Sequence, residues 1–174
     1  MLIIYCIVVV FLGLVVLCEL YTLRTGVPTI TSLPSVRKKM IQILKDEGAR
    51  KILDLGSGTG KLCLEIGHAI PEASVTGVEL SLVPSLLSKI RRLLWGAKNV
   101  AFERANFWPY DVSDVDAVIV YINDHIRQRM AEKLKAELPK GTLVLSNETH
   151  LEGWTPLATH EIGLLKTKLV VYRS

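Results

Sequence analysis

Ile52-Leu53-Asp54-Leu55-Gly56-Ser57-Gly58-Thr59-Gly60-Lys61-Leu62 runs from an apolar strand through three alternating glycines into a segment of helical character. Glycines at this spacing allow a tight turn and a close backbone approach to a ligand. The helix start adds free N–H groups and partial positive charge. A P-loop requires G-x-x-x-x-G-K-[ST]. Here Gly60-Lys61 is followed by Leu62, and the spacing to Gly56 is too short. The dinucleotide fingerprint G-x-G-x-x-G/A requires a small third residue, and Lys61 occupies that place. The pattern that fits is D-x-G-x-G-x-G, beginning at Asp54.

Strands and helices alternate outward from this loop. Strands are predicted at 51–55, 74–79, 99–105, 115–121 and 142–146, with a terminal hairpin of 160–162 and 168–172. Helices are predicted at 60–69, 83–94 and 124–138, ended near Pro71, Gly96 and Pro139. Ahead of them, a helix over 35–47 is predicted from Val36, Met40, Ile41 and Leu44, with Ser35 as its cap and Gly48 as its stop. This order implies an α/β fold: a Rossmann-like, doubly wound, mostly parallel seven-stranded sheet. Ligands of such sheets bind at the carboxyl ends of the strands, where strand order reverses.

The chain has 174 residues, enough for one domain with its own core, and 49% of them are hydrophobic. The apolar residues are concentrated at the start. Residues 2–18, LIIYCIVVVFLGLVVLC, carry no charge. With 20–23 they reach the length of a membrane-spanning helix. A cleaved signal would have a positive n-region and a small-residue cleavage site, and neither is present. The expected organisation is an N-terminal transmembrane helix at 1–23, a linker and pre-core helix at 24–47, and the catalytic-type domain at 48–174. Arg24, Arg37, Lys38 and Lys39 follow the apolar stretch and place the domain on the cytoplasmic side. The compact chain lacks an Arg/Ser-rich presequence, which favours a prokaryotic plasma membrane; in a eukaryote the expectation is mitochondrial. The net charge of +4 suits anionic headgroups or an acidic partner and does not single out nucleic acid. Cys6, Cys18 and Cys63 form no disulfide framework and no metal-ligand spacing, so no metal is expected.

The loop Asp54-Leu-Gly-Ser-Gly-Thr-Gly60, followed 25 residues after Asp54 by Glu79 in Val75-Thr-Gly-Val-Glu79, resembles the class I, seven-strand methyltransferases that use S-adenosylmethionine (SAM). Within that class the chain is similar to the membrane-bound lysine methyltransferases of the ATP synthase c-subunit and the adenine nucleotide translocase, with their prokaryotic relatives. Pro28-Thr29, Gly77-Val-Glu79-Leu, Phe107-Trp108 and Trp154-x-Pro156 carry the likeness. Asn106 in place of the usual Asp, and the stretch Glu148-Thr-His-Leu-Glu-Gly153, depart from it.

The resemblance implies that Asp54, Gly56, Ser57, Gly58 and Gly60 lie against the methionine and ribose parts of SAM. It implies that Glu79 takes the ribose hydroxyls and that Leu80 packs on the adenine. Asn106 and Phe107 fall where the class meets the adenine amino group and ring; an Asn carbonyl can accept that hydrogen bond. Tyr121 and Asn123 follow the fourth strand, where an acceptor would be oriented. The implied activity is protein-lysine N-methylation. The rival readings are a methyltransferase for a lipid, quinone or other small hydrophobic molecule, and an inactive SAM-binding membrane scaffold.

Overall fold

The computed structural model describes residues 32–174 and, ahead of them, Met1, Tyr5, Val9 and Gly13. Apart from those four residues, the expected anchor at 1–23 and the linker up to residue 31 lie outside the described residues. Among those described, no helix is long and apolar enough to cross a membrane.

The elements are α1 (Pro34–Asp46), β1 (Lys51–Leu55), α2 (Lys61–Ala69), β2 (Ser74–Val78), α3 (Leu82–Trp95), β3 (Val100–Glu103), β4 (Ala117–Val120), a 3-10 turn (Asp124–Ile126), α4 (Arg127–Glu137), β5 (Leu143–Asn147), β6 (Ala158–Ile162) and β7 (Thr167–Arg173). One seven-stranded sheet has the order β3-β2-β1-β4-β5-β7-β6. The first five strands pair in parallel. β7 runs antiparallel to both β5 and β6. The sheet is thus mixed, because the four residues joining β6 to β7 are too few for a parallel crossover.

Alternate strand residues feed two cores. Ile52, Val75, Ile119 and Leu145 face α1 and α2, with Met40, Leu44, Leu64 and Ile66 packed on them. Leu53, Val118, Val120 and Val144 face the opposite way, towards Met130 and Leu134 of α4. Burial on both faces explains the continuous apolar runs of β1, β4 and β5.

Several boundaries differ from expectation. α1 starts at Pro34, whose fixed φ and missing N–H suit a first helical position, so Ser35 lies inside the helix and caps nothing. β3 is shorter than 99–105. The Asn99 carbonyl still accepts Val75 N–H at 2.9 Å, and its side-chain amide donates to the carbonyls of Gly67, Ile70 and Ala73, between α2 and β2, at 3.0, 3.3 and 2.9 Å. β4 is shorter than 115–121: the Asp116 backbone still bonds Lys51 O and Leu143 N–H, at 2.8 and 2.9 Å, and its carboxylate accepts the N–H groups of Arg50 and Lys51, at 2.9 and 2.8 Å. The helix expected at 124–138 opens with the separate 3-10 turn before α4.

Candidate cofactor and acceptor site

β1 sits between β2 and β4, so strand order reverses at its carboxyl end, and the glycine loop leaves from that end. The N–H groups of Gly56 and Ser57 both donate to Val78 O at the end of β2, at 2.9 and 3.0 Å. Gly60 N–H donates to Ser57 O at 2.9 Å and closes the turn. Gly56, Gly58 and Gly60 have φ of 90°, 54° and 75°, in the left-handed region that glycine enters without steric cost. A Cβ on Gly60 would stand 2.4 Å from the Phe102 ring and 2.8 Å from Ser88 Cβ, so backbone and packing both demand glycine there. Above Gly58, by contrast, there is open space.

Glu79 follows β2 and is almost fully buried. One carboxylate oxygen accepts Gly58 N–H at 3.0 Å, and the other accepts Ser81 N–H at 2.7 Å. The side chain is fixed beneath the loop by two backbone donors before any ligand arrives. Ser57 Oγ is buried without a hydrogen-bond partner. Gly77 makes room for it, since a Cβ on Gly77 would lie 2.8 Å from Ser57 Cβ. An orphaned hydroxyl, a glycine open to space and a pre-positioned carboxylate fit a ligand carrying a ribose and charged amino-acid groups.

Below the loop, Asp54 of β1 is buried, and Cys63 Sγ of α2 donates to its Oδ2 at 3.3 Å. Burial pushes the Asp54 carboxyl up to about 7; Cys63 opposes the shift and the charge of Glu79 adds to it. Burial also raises the Cys63 thiol, and Asp54 adds to that. The Cys63 partnership had no sequence signal, because the cysteine stands alone in the chain of the domain.

Leu80 is 37% exposed beside this site. Asn106 directs its Oδ1 to Trp108 N–H at 3.0 Å, closing an Asx turn; the second lone pair of that oxygen stays available. Phe107 is buried in the α4-side core, its ring 4.9 Å from that of Trp108. The Arg129 guanidinium of α4 covers the Trp108 ring at 4.0 Å.

Past β4, Tyr121 is half-buried, and burial together with the charge of Glu148 raises its hydroxyl pKa. Asn123 is half-buried at the start of the 3-10 turn, and its side chain makes no capping bond. Asp124, the first residue of that turn, pairs with Arg127 at 3.7 Å. The segment after β5 is fastened to the segment after β4: Thr149 Oγ1 donates to Ile122 O, and Ser146 Oγ donates to Thr149 O at 2.6 Å. Between them Glu148 holds φ of 60°, an uncommon conformation for a residue with a Cβ. Nothing in the sequence pattern announces this strain or the influence of the Glu148 charge on Tyr121. Among the described residues, no group of His, Cys, Asp and Glu is placed to hold a metal ion.

Residues 54–158 match the ANTKMT methyltransferase domain, a stretch covering more than half of the chain. The chain belongs to that family. It therefore carries a SAM-dependent methyltransferase domain of class I. Over 139 residues it is 30% identical to the mouse adenine nucleotide translocase lysine N-methyltransferase, covering 78% of this chain and 59% of that one. Over 133 residues it is 26% identical to a protein-lysine N-methyltransferase of Saccharolobus islandicus, covering 75% and 81%. Its fold superposes on an RNA methyltransferase of Salinibacter ruber in complex with S-adenosyl-L-homocysteine, with a TM-score of 0.73, 22% identity, and coverage of 83% and 93%. The chain spans well under two thirds of the mouse relative, so activity and substrate are taken up below as proposals.

Proposed function

We propose that the chain is a membrane-anchored, SAM-dependent protein-lysine N-methyltransferase. The observation that carries this reading is the glycine loop held against Glu79, at the same carboxyl-end edge of the parallel strands that Tyr121, Asn123 and Glu148 follow. Both sequence relatives named above methylate lysine by name. The anchor rests on the uncharged stretch 2–18 and the basic residues after it.

The bound cofactor supplies an electrophilic methyl group on a sulfonium. Glu79 accepts the ribose hydroxyls, while Ser57 and the loop around Gly56, Gly58 and Gly60 take the methionine end. Leu80 packs on the adenine, with Asn106 offering its free lone pair and Phe107 backing the turn. Asp54 supports the loop from below. On the acceptor side, the Glu148 carboxylate draws in the lysine ammonium, which has a free pKa of about 10.4 and must lose a proton before it can attack. Entry into the half-buried site disfavours the charged amine and promotes that loss. Tyr121 keeps its proton, so its hydroxyl offers lone pairs to the amine N–H, and Asn123 adds a second polar contact. These groups orient the nitrogen lone pair for in-line attack, and positioning supplies most of the rate.

The test is transfer of labelled methyl from SAM by the full-length chain to membranes of cells lacking its gene, with Glu79→Ala alongside. Label in a discrete protein band, mapped to lysine and lost in the variant, is the expected result. Label extracted into the lipid phase would overturn the lysine assignment in favour of a small hydrophobic acceptor. SAM binding without transfer to any fraction would overturn the enzymatic reading.

A further inference from the structure

α3 is an amphipathic helix turned inside out. Its buried positions are Ser85 and Ser88, small residues that let the helix sit close to Gly60 and Phe102. Its large residues point outward: Leu82, Leu86, Ile90, Leu93 and Leu94 are 44–84% exposed. At 100° per residue these five occupy an arc of roughly 120°. A surface helix of a globular domain normally buries such a stripe. Lys89 borders the arc on one side and is exposed, as is Arg92 near the end of the helix; Arg91, on the other side, donates to Thr59 of the glycine loop, and the helix contains no acidic residue. An outward apolar stripe with a cationic border matches a helix lying in a lipid interface.

We propose that this face of α3 rests on an anionic bilayer surface. The occupant is lipid and not a second copy of the chain, because a twofold pairing would oppose the same cationic borders, with no acidic partner on either helix. The proposal rests on the membrane reading above and sharpens it. The uncharged stretch 2–18 brings the chain to a bilayer, and residues 24–33 span at most roughly 35 Å when extended, which keeps α3 within reach. Pro34 and Arg37 at the start of α1 share one shallow cleft with Trp95, which puts the end of α3 beside the helix nearest the anchor. α3 begins directly after Glu79-Leu80-Ser81, so docking it on a bilayer brings the cofactor cleft to headgroup level, where lysines flanking a membrane span are found.

The test uses the full-length chain in phosphatidylcholine–phosphatidylglycerol vesicles, with an environment-sensitive fluorophore on Leu86→Cys, Leu93→Cys or, as control, Lys135→Cys of α4. Cys6 and Cys18 are replaced by Ser, and buried Cys63 is retained. All three sites are exposed, so folding is not at stake. The expected result is a blue shift and quenching by brominated acyl chains at 86 and 93 but not at 135, and a several-fold loss of that quenching when phosphatidylglycerol is omitted. A chain that sediments with vesicles while 86 and 93 stay as wet as 135 overturns the α3 proposal and leaves the anchor standing. Blue-shifted labels that brominated lipid does not quench mean a protein covers the face, and overturn it too. A chain that does not sediment overturns both.

Discussion

Asp54 is a carboxyl whose environment, and not its identity, sets its behaviour. Held at about 7 by burial in the folded chain, against about 3.9 when unfolded, it keeps a proton that the unfolded chain gives up. Between these two values the folded state binds more protons, so the Asp54 contribution to stability falls as pH rises, with a slope of up to about 1.4 kcal/mol per pH unit, and levels off above 7. Asp54→Asn is expected to remove that slope; thermal unfolding of both proteins from pH 4 to 8 checks it, and parallel curves would show that the group titrates normally. Glu148 shows the converse, a backbone strain of about 1 kcal/mol kept beside a candidate acceptor site. Glu148→Gly is expected to stabilise the fold by about 1 kcal/mol while raising the acceptor KM with little change in kcat. Equal stability with unchanged KM would mean that the conformation carries no function. Asp54 was legible as part of its motif. Glu148 was not, since only the fold places it in the left-handed region and brings its charge to bear on Tyr121.

At the scale of elements, the glycine loop and the strand feeding it were readable because their geometry needs particular residues. Strand ends were less so: Asn99 and Asp116 fall within the expected strands 99–105 and 115–121, and their side chains satisfy backbone groups of distant segments. The tie between α1 and α2 had no local signal at all. Arg37, nearly buried, makes two hydrogen bonds to Glu65 at 2.8 and 3.0 Å and also donates to Ser32 O where the chain enters the domain. Removing one partner of a buried pair leaves the other uncompensated, and partial solvent contact of Glu65 moderates the cost. Arg37→Met is therefore expected to lower stability by about 2 kcal/mol, read as a fall in Tm by calorimetry. A loss below about 0.5 kcal/mol would show the bridge to be idle.

For the whole molecule, a ligand that binds only the folded state adds stability by mass action. SAM at about 100 times its Kd is expected to stabilise the chain by about 2.7 kcal/mol, and Glu79→Ala to abolish the effect at the same concentration. Calorimetric scans with and without cofactor decide it, and an unmoved wild-type Tm would mean that the chain does not bind SAM.

The sequence by itself determined the α/β alternation, the SAM loop, the acidic residue after the second strand and the membership of a methyltransferase family, because each depends on local periodicity or on residues whose backbone needs no other type can meet. The mixed edge of the sheet, the Asp54–Cys63 and Arg37–Glu65 pairs, the charge of Glu148 acting on Tyr121 and the outward turn of the apolar face of α3 came from the folded arrangement alone. Those are contacts between segments far apart along the chain, and for α3 the helical period is the same whichever way the stripe faces. Small Ser85 and Ser88 against Gly60 and Phe102 fixed that direction, and no single stretch of sequence contains all four.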